Sequence, residues 1–328
     1  MTQEHIETVL KGDLVNFKRR MKEVVASTNG ISPLTSHFVK FQGKHLRPII
    51  LMLAAKAIAP KKALNKDHLN LAVTMELIHN TALVHDDILD ESKLRRSVQT
   101  YNQVWGNEMA VIFGDYLFAR MFTHITDIKS ADILKNVSIA CNRLCLGEMQ
   151  HLNKRFDPFG ITQKEYFDII DKKTASLFEL SAYLGAVSTT KDKKLIEAFK
   201  QFGRNFGMAY QIMDDYKDIM ATDEDSGKST GSDLRKGKIT LPIIRTMDCG
   251  PAKYRLKLKN LIKSMATNGK NLSAKKKELS GLLEQTGSLD YTYQQAKDYA
   301  RKANENISSL PDSVYKDLLI SLTQSILK

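Results

Sequence analysis

The sequence predicts an all-α fold, a large helical bundle that forms one domain over residues 1–328. Helical periodicity of apolar residues runs through most of the 328-residue chain, and no series of alternating strand patterns lies between turn signals. No linker rich in Pro, Gly or Ser divides the chain. Its 42% hydrophobic and 26% charged residues are those of an ordinary globular protein, which excludes a disordered chain, a collagen-like fibre and a disulfide scaffold.

The most apolar predicted helix follows Asp67, its predicted N-cap, and runs to the acidic sequence HDDILDE. Apolar residues occupy nearly every face of this helix, which is typical of a helix buried inside a bundle. Further helices are predicted at residues 4–27, 47–59, 107–127, 130–152, 163–187, 192–220, 239–247, 252–265, 273–286, 290–308 and 312–327. Two irregular segments, 94–107 and 222–239, lie between them.

Charge and cysteine content limit the partners and the compartment. The net charge of +12 favours anionic partners such as phosphorylated molecules, membrane headgroups or nucleic acid. Three cysteines cannot form a disulfide framework, and the acidic N-terminus does not have the pattern of a signal peptide. We therefore expect a cytoplasmic protein.

The segment from residue 251 to residue 279 carries nine Lys or Arg residues against the single acid Glu278. Such a segment is either a solvated basic face or a contact for an anionic membrane or partner.

The first chemical signal is an acidic cluster at the predicted end of the most apolar helix. Asp86 and Asp90 are four residues apart and therefore share a helix face, with Asp87 beside them. Carboxylates at a helix C-terminus are opposed by the helix dipole, and burying them is costly. A divalent cation would reverse both effects, and hard oxygen ligands without a His or Cys pattern favour Mg²⁺ bound together with substrate phosphates. A solvated helix end is the alternative.

The second signal repeats this spacing in Asp214, Asp215 and Asp218, which also end an apolar helix. Gly203 and Gly207 in that helix predict close packing on a neighbour. Basic residues accompany both clusters, and a third basic group precedes the helix at residue 47; the set includes Lys44, Arg47, Arg95, Arg96, Lys228 and Lys238. Because Arg and Lys bind phosphate, acids for metal together with these cations describe a diphosphate pocket.

These segments resemble the motifs of the trans-type isoprenyl (polyprenyl) diphosphate synthases. The similar segments are GKHLRP, HDDILDESKLRR, GDYLFAR, KTA, GMAYQIMDDYKDI and GKSTGSDLRKGKITLP, which occur in family order over residues 40–242. The resemblance implies a helical fold of the isoprenoid synthase type with a central cavity, a homodimer and about three Mg²⁺ per active site. The sequence departs from the family after Arg96, where Ser97 stands in place of the usual Gly, which leaves the local loop geometry open.

The resemblance also implies roles for individual residues. Asp86, Asp87, Asp90, Asp214, Asp215 and Asp218 would bind or support the metal ions, and Arg95, Lys173, Lys228 and Lys238 would bind the diphosphate of the allylic substrate. Lys44, Arg47, His79 and Arg96 would bind the diphosphate of isopentenyl diphosphate, and Thr174 and Gln211 would line the reacting region. Asp86, Asp90, Asp214, Lys173, Lys228 and Arg95 are the residues expected to act in catalysis.

The implied reaction is the 1′-4, all-trans addition of isopentenyl units to an allylic diphosphate by ionisation, condensation and elimination. In this family the residues four and five positions before the first acidic motif often set the floor of the product tunnel, and here they are Ala82 and Thr81, with Ile78 one turn deeper. Small side chains leave space that aromatic ones would fill, so we expect a product of about C25–C40. The alternative at this step is helix packing alone and a short-chain product such as geranylgeranyl or farnesyl diphosphate.

Four other classes of protein fit the sequence less well. A class I terpene cyclase would replace the second acidic motif and would lack the Lys44–Arg47 group, and a metal phosphohydrolase would need more His and Asp ligands than the sequence supplies. A non-catalytic subunit of a hetero-oligomeric synthase is opposed by the intact clusters. A nucleic-acid binder is not expected, because the basic segment lacks interleaved aromatic residues. Membrane contact for product release stays compatible with the sequence.

Overall fold

The computed structural model describes residues 3–26, 31–40, 43–154, 157–220, 239–267 and 272–328. Within these ranges the regular structure is helical apart from one short hairpin, which confirms the all-α prediction. The α-helices are α1 Gln3–Val9, α2 Lys11–Val25, α3 Ser32–Lys40, α4 Leu46–Ile58, α5 Lys66–Leu89, α6 Tyr101–Ile125, α7 Ala131–Lys154, α8 Gln163–Ile170, α9 Ser176–Val187, α10 Lys193–Met220, α11 Leu241–Cys249, α12 Ala252–Thr267, α13 Leu272–Gln285, α14 Ser288–Asn306 and α15 Val314–Ile326. The hairpin strands are β1 Leu94–Arg95 and β2 Val98–Gln99. No helix in the described ranges combines the length and the apolar composition needed to cross a bilayer.

The helices form two compact units, each assembled from separated segments of chain. The first unit comprises Met1–Cys141, Leu177–Gly203 and Asn304–Ser325. The second comprises Asn142–Ser176, Arg204–Ala303 and Ile326–Lys328. Because α7 and α10 contribute residues to both units, the division does not follow a linker in the sequence, and the interpretation as one domain stays a prediction.

Helix α5 is the central helix of the first unit and packs against α2, α4 and α6. Its side chains are buried without interruption from Leu71 to Ile78, as its apolar sequence predicts. The prediction that Asp67 caps this helix is wrong. Asn65 caps the helix instead, since its side chain accepts a hydrogen bond from the backbone N–H of His68 at 3.1 Å and the His68 ring accepts from the Asn65 backbone at 3.3 Å.

Helix α6 packs antiparallel on α5. The His85 ring lies 3.2 Å from the carbonyl of Val111 near one end of the pair, and His124 interacts with the backbone of Asn70 near the other. Helix α6 begins at Tyr101, so the prediction of an irregular segment from residue 94 to residue 107 is wrong over its second half. Aromatic packing, with the Tyr101 and Phe113 rings stacked 4.6 Å apart, stabilises this first turn through contacts that local sequence does not reveal.

Other elements also depart from or confirm the sequence pattern. Helix α3 was not predicted; its Leu34 carbonyl accepts a hydrogen bond from the Tyr101 hydroxyl at 3.2 Å. The predicted helix over residues 163–187 contains a π-helical turn, Asp171–Ala175, between α8 and α9. The close packing predicted at Gly203 is confirmed, because a Cβ there would lie 2.3 Å from the carbonyl oxygen of Phe178. In the second unit, α11 packs against α8, α12 and α13.

Candidate active site

The first acidic cluster lies at the C-terminal end of α5. Asp86 and Asp87 occupy the last turn, and Asp90 is the C-cap, whose backbone N–H donates to the carbonyl of Asp86 at 2.8 Å. Asp86 and Asp90 are half-buried, whereas Asp87 is only 1% exposed. The three carboxylates therefore divide into a pair at the protein surface and one that points inward.

The inward carboxylate of Asp87 holds Arg95. The Arg95 Nε donates to both Asp87 oxygens, at 2.9 and 3.0 Å, and its Nη2 donates to Oδ1 at 2.7 Å. Burial opposes the charge of Arg95, but the hydrogen bonds with Asp87 and the charges of Asp86 and Asp90 outweigh it and raise the pKa of the guanidinium. The structure thus keeps a permanent cation beside the predicted metal-binding pair.

The hairpin after α5 presents Arg95 and Arg96. Leu94 pairs with Gln99 and Arg95 with Val98, so Arg96 and Ser97 form a two-residue turn. Both turn residues are left-handed, with φ of +52° and +64°, the backbone that type I′ hairpin turns require. The departure from the family sequence at Ser97 therefore retains a hairpin, with serine in a conformation that glycine adopts more readily.

The structure places the side chain of Arg96 against the segment that carries Lys44 and Arg47. A Cβ on Gly43 would lie 2.1 Å from Arg96 Nη1, so the guanidinium is packed directly against this glycine and would have to shift if the residue carried a side chain. The Arg47 guanidinium carbon lies 4.5 Å from the centre of the Phe178 ring, and Lys44 is exposed. Cationic side chains from two distant segments thus lie together in the first unit.

His79 lies among these arginines. Burial is the largest effect that lowers the pKa of His79 well below its usual range; the charge of Arg47 adds to it, Glu76 opposes it, and Arg96 and Arg95 lower it further. His79 is therefore neutral near pH 7. Its neutral imidazole can donate a hydrogen bond to a bound anion, while the positive charge comes from the arginines.

A buried carboxylate beneath this group escaped the sequence analysis. Glu76 is 2% exposed; its Oε1 lies 3.1 Å from His45 Nδ1 and accepts from Asn80 Nδ2 at 3.2 Å. Burial acts to raise the pKa of Glu76, but the hydrogen bond with His45 and the electrostatic influence of its basic neighbours, Arg47 among them, outweigh burial and lower it to about 2. The available signal was a single acid inside the most apolar part of α5.

In the second unit, the π-helical turn places Lys173 and Thr174. The Lys173 ammonium contacts the Glu148 carboxylate. Burial acts to raise the pKa of Glu148, but His151 and Lys173 outweigh this effect and lower it. The turn has the wider helical geometry often found at functional sites, and Glu148 is a half-buried acid that the sequence analysis missed.

A chain of hydrogen bonds joins Thr174 to the second acidic cluster. The Thr174 hydroxyl donates to Gln211 Oε1 at 2.6 Å, and Gln211 Nε2 donates to Asp215 Oδ1 at 2.8 Å. The Tyr166 hydroxyl donates to the other oxygen of Asp215 at 2.7 Å. Burial raises the pKa of Tyr166 well above its usual range, and the charges of Asp215 and Asp214 raise it further. Asp215 is thus fixed from both sides by the protein itself.

The outward residues of the second cluster are Asp214, which is exposed, and Asp218, which is half-buried. Both lie in the last two turns of α10. The predicted diphosphate ligands Lys228 and Lys238 lie outside the described residues, as does most of the predicted irregular segment 222–239. Whether the two acidic clusters serve one cavity, as the sequence predicts, stays a prediction.

The four outward-facing carboxylates have the chemistry of a magnesium site that also needs substrate phosphates. Asp86 and Asp90 offer hard oxygen ligands one helical turn apart, and Asp214 and Asp218 repeat this arrangement. Across the described ranges, no group of three His, Cys, Asp or Glu side chains lies close enough to form a complete metal site. Mg²⁺ is commonly held by one or two carboxylates together with substrate phosphates and water, so the donors present fit that ion.

A helical protein with paired carboxylates at helix ends and with arginines and lysines held beside them has the features of an enzyme that acts on prenyl diphosphates. The sequence profile of the polyprenyl synthetase family matches residues 29–279. Octaprenyl diphosphate synthase from Escherichia coli (strain K12) is 33% identical over 98% of this chain and 97% of its own length.

Two solved structures agree with this assignment. Polyprenyl synthase from Caulobacter crescentus CB15, complexed with calcium and isoprenyl diphosphate, is 29% identical with a TM-score of 0.88 over 99% of this chain and 97% of that one. Geranylgeranyl pyrophosphate synthetase from Pyrococcus horikoshii Ot3 is 32% identical with a TM-score of 0.89 over 99% and 98%. The chain belongs to the polyprenyl synthetase family, and it is a prenyltransferase.

Proposed function

We propose that this enzyme condenses an allylic diphosphate with isopentenyl diphosphate, in the presence of Mg²⁺, to give an all-trans product of about C25–C40. The observation that carries the proposal is that the first unit holds two groups of ligand-binding side chains. Arg95 lies beside the Asp86–Asp90 pair, and His79 lies among Arg47 and Arg96. These groups supply both a metal-assisted and a metal-independent anion site.

In the first unit, Asp86 and Asp90 would hold Mg²⁺, and Arg95 would bind the allylic diphosphate beside them. Arg47, Arg96 and the exposed Lys44 would bind the diphosphate of isopentenyl diphosphate, with the neutral His79 donating a hydrogen bond. Because Asp87 and Glu76 hold Arg95 and His45 before substrate arrives, less reorganisation is needed when charge develops during the reaction.

In the second unit, Asp214 and Asp218 would hold further Mg²⁺, about three ions in all, and Asp215 would orient Gln211. Bound Mg²⁺ would stabilise the diphosphate that leaves as the allylic cation forms. Lys173, held by Glu148, would bind the same anion, with Lys228 and Lys238 as further expected ligands. Thr174 and Gln211 would line the reacting region, and apolar surroundings would exclude water from the cation.

The residues expected to set product length lie along one face of α5. Ile78 and Thr81 are buried and Ala82 is half-buried, and the Thr81 hydroxyl is buried without a hydrogen-bond partner among the described residues. The antiparallel contacts of His85 with Val111 and of His124 with Asn70 predict that Gly114 of α6 lies level with Ala82, and that Leu117 and Phe118 lie level with Ile78. This part of α5 offers apolar surface without an aromatic side chain of its own, which supports a product longer than C20.

We also propose that the enzyme is a cytoplasmic homodimer. Helices α6 and α7 of the first unit expose several large apolar side chains: Val104, Met109, Val111, Ile112, Leu134 and Ile139. Several large apolar side chains left exposed on two helices favour a protein–protein contact. Sedimentation of the purified enzyme would test this; a monomer at all concentrations would contradict it.

The central test is incubation with Mg²⁺, labelled isopentenyl diphosphate and separate primers of five, ten, fifteen and twenty carbons, followed by chromatography of the dephosphorylated products. Asp86→Ala and Asp214→Ala should each lower condensation by at least about 100-fold, because each removes charge stabilisation from the transition state. Asp132→Ala, at an exposed position of α7, is the matched control. Normal turnover in either site variant, with the fold verified by circular dichroism, would contradict the metal assignment.

A further inference from the structure

Helix α12 presents an outward surface of one charge sign. Its sixteen residues contain five Lys or Arg residues and no Asp or Glu. Lys253, Arg255 and Lys257 are exposed on this helix. A helix with many cations and no acids does not form the internal salt bridges that usually accompany solvated helix faces. This surface therefore carries a positive potential that an anionic partner can complement.

An apolar side chain lies in the middle of these cations. Leu256 is 63% exposed, whereas Leu258, Leu261, Ile262 and Met265 on the opposite face are buried. The buried face attaches α12 to the rest of the second unit, so the helix does not need Leu256 for folding. A leucine surrounded by exposed lysine and arginine is typical of helices that lie in the interface of a membrane.

A groove of about 460 Å³ runs beside this surface, between α12 and α13. Its lining includes Lys253, Leu256, Lys257 and the acid Glu278. Because Glu278 is paired with Lys257 at 3.0 Å, its charge is largely neutralised within the groove. The groove thus combines a cation with apolar surface, the two features that complement a phospholipid headgroup and the start of its acyl chains.

We propose that α12 and the groove beside it form a docking surface for a bilayer that contains anionic phospholipid. The exposed leucine favours a membrane over a nucleic acid, because a leucine gains nothing from a phosphate backbone but is stabilised among acyl chains. The inference stands on the charge and exposure of α12 and does not depend on the proposed product. A prenyl diphosphate with a long apolar tail would nevertheless give such a contact a use in product release.

The test is sedimentation of the full-length enzyme with vesicles of phosphatidylcholine containing about one third phosphatidylglycerol, at several salt concentrations. We expect binding to the anionic vesicles, weaker binding at high salt, and little binding to phosphatidylcholine alone. Lys253→Gln with Arg255→Gln should lower the partition coefficient about 25-fold, since each cation near an anionic surface contributes about fivefold. Leu256→Ser should lower it about tenfold.

Matched controls separate this surface from net charge and from general hydrophobicity. Lys193→Gln with Lys194→Gln removes the same charge from exposed positions of α10, and Val15→Ser removes an apolar side chain that is 59% exposed on α2. Neither control should change vesicle binding by more than about twofold. An equal loss in the lysine control, or binding to phosphatidylcholine as strong as to anionic vesicles, would overturn the proposal.

Two further measurements make the outcome decisive. Binding of the wild type to duplex DNA and to anionic vesicles should be compared at the same salt concentration. Tighter binding to DNA would indicate that α12 binds a different polyanion and would overturn the membrane proposal. Condensation activity without vesicles should be equal in the wild type and in the α12 variants. Activity without vesicle binding would refute the docking surface alone, whereas vesicle binding without activity would refute the proposed function alone.

Discussion

Replacing Glu76 by glutamine tests whether a buried charge organises the basic group in the first unit. Glu76 is buried beneath His45, and its pKa is lowered to about 2 from an ordinary value of 4.5. Glutamine keeps the size of the side chain and resembles the protonated form of Glu76. The variant therefore isolates the energy that folding gains from ionising this carboxyl group.

The magnitude follows from the pKa difference between the folded and unfolded states. A lowering of about 2.5 units corresponds to about 3 kcal/mol of stability at pH 7. Because the folded-state pKa is below the unfolded one, this stability is fully present above the unfolded value of 4.5 and is lost as the pH falls through about 2. The advantage of the wild type over the variant should fall to about 2 kcal/mol near pH 3.5.

Urea unfolding of the wild type and of Glu76→Gln at pH 7, 5 and 3.5 measures this difference. Glu23→Gln is the control, because Glu23 also pairs with an arginine, Arg20 at 3.1 Å, but is half exposed, and such pairs contribute less than about 1 kcal/mol. The reasoning is refuted if the Glu76 variant loses less than 1 kcal/mol at pH 7, or if its loss is the same at pH 3.5.

Steady-state kinetics of the same variant would separate positioning from stability. The loss of the Glu76 charge should raise the KM for isopentenyl diphosphate several-fold, since Arg47 loses its counter-charge and His45 loses a charged hydrogen-bond partner, and should leave the KM for the allylic primer unchanged. An equal change in both KM values would indicate a general structural defect.

Three other perturbations have definite expected outcomes. Asp87→Asn should destabilise the protein by about 3 kcal/mol, because Arg95 loses a buried charged partner, and should raise the KM for the allylic diphosphate; an unchanged urea midpoint would contradict this. Ser97→Gly should stabilise the hairpin by about 0.5–1 kcal/mol, because it relieves the strain of a left-handed serine while the greater flexibility of glycine in the unfolded chain offsets part of that gain. Ser97→Ala should not raise the Tm measured by thermal unfolding. Thr81→Phe or Ala82→Phe should shorten the product by filling space beside α5, as read by chromatography, and an unchanged product distribution would show that the tunnel floor lies elsewhere.

The positions of the helices were predictable where the signal is local. Helix α5 is buried on all sides from Leu71 to Ile78 because its sequence is largely apolar there, and the i, i+4 spacing of Asp86 and Asp90 already places both on one face. The first turn of α6 and the whole of α3 were missed. Tyr101 and Leu34 are stabilised by contacts with residues distant in sequence, and a local pattern does not contain those partners.

The division of roles within each acidic cluster could not be read from spacing. Asp86 and Asp87 are adjacent, yet Asp86 is half-buried and Asp87 is buried against Arg95. Asp214 and Asp215 divide in the same way, since Tyr166 and Gln211 bind Asp215. Which acid faces a ligand and which one holds a neighbouring side chain depends on what packs against the helix.

The sequence by itself determined the helical class, the two acidic groups and the basic residues that accompany them, because helix period and residue chemistry are local properties. Only the tertiary structure decided that Glu76 anchors His45, that Asp87 anchors Arg95, and that serine closes the hairpin turn. Those outcomes depend on burial and on hydrogen bonds between segments up to several tens of residues apart, and the energy of a charged group is set by the neighbours that the fold provides.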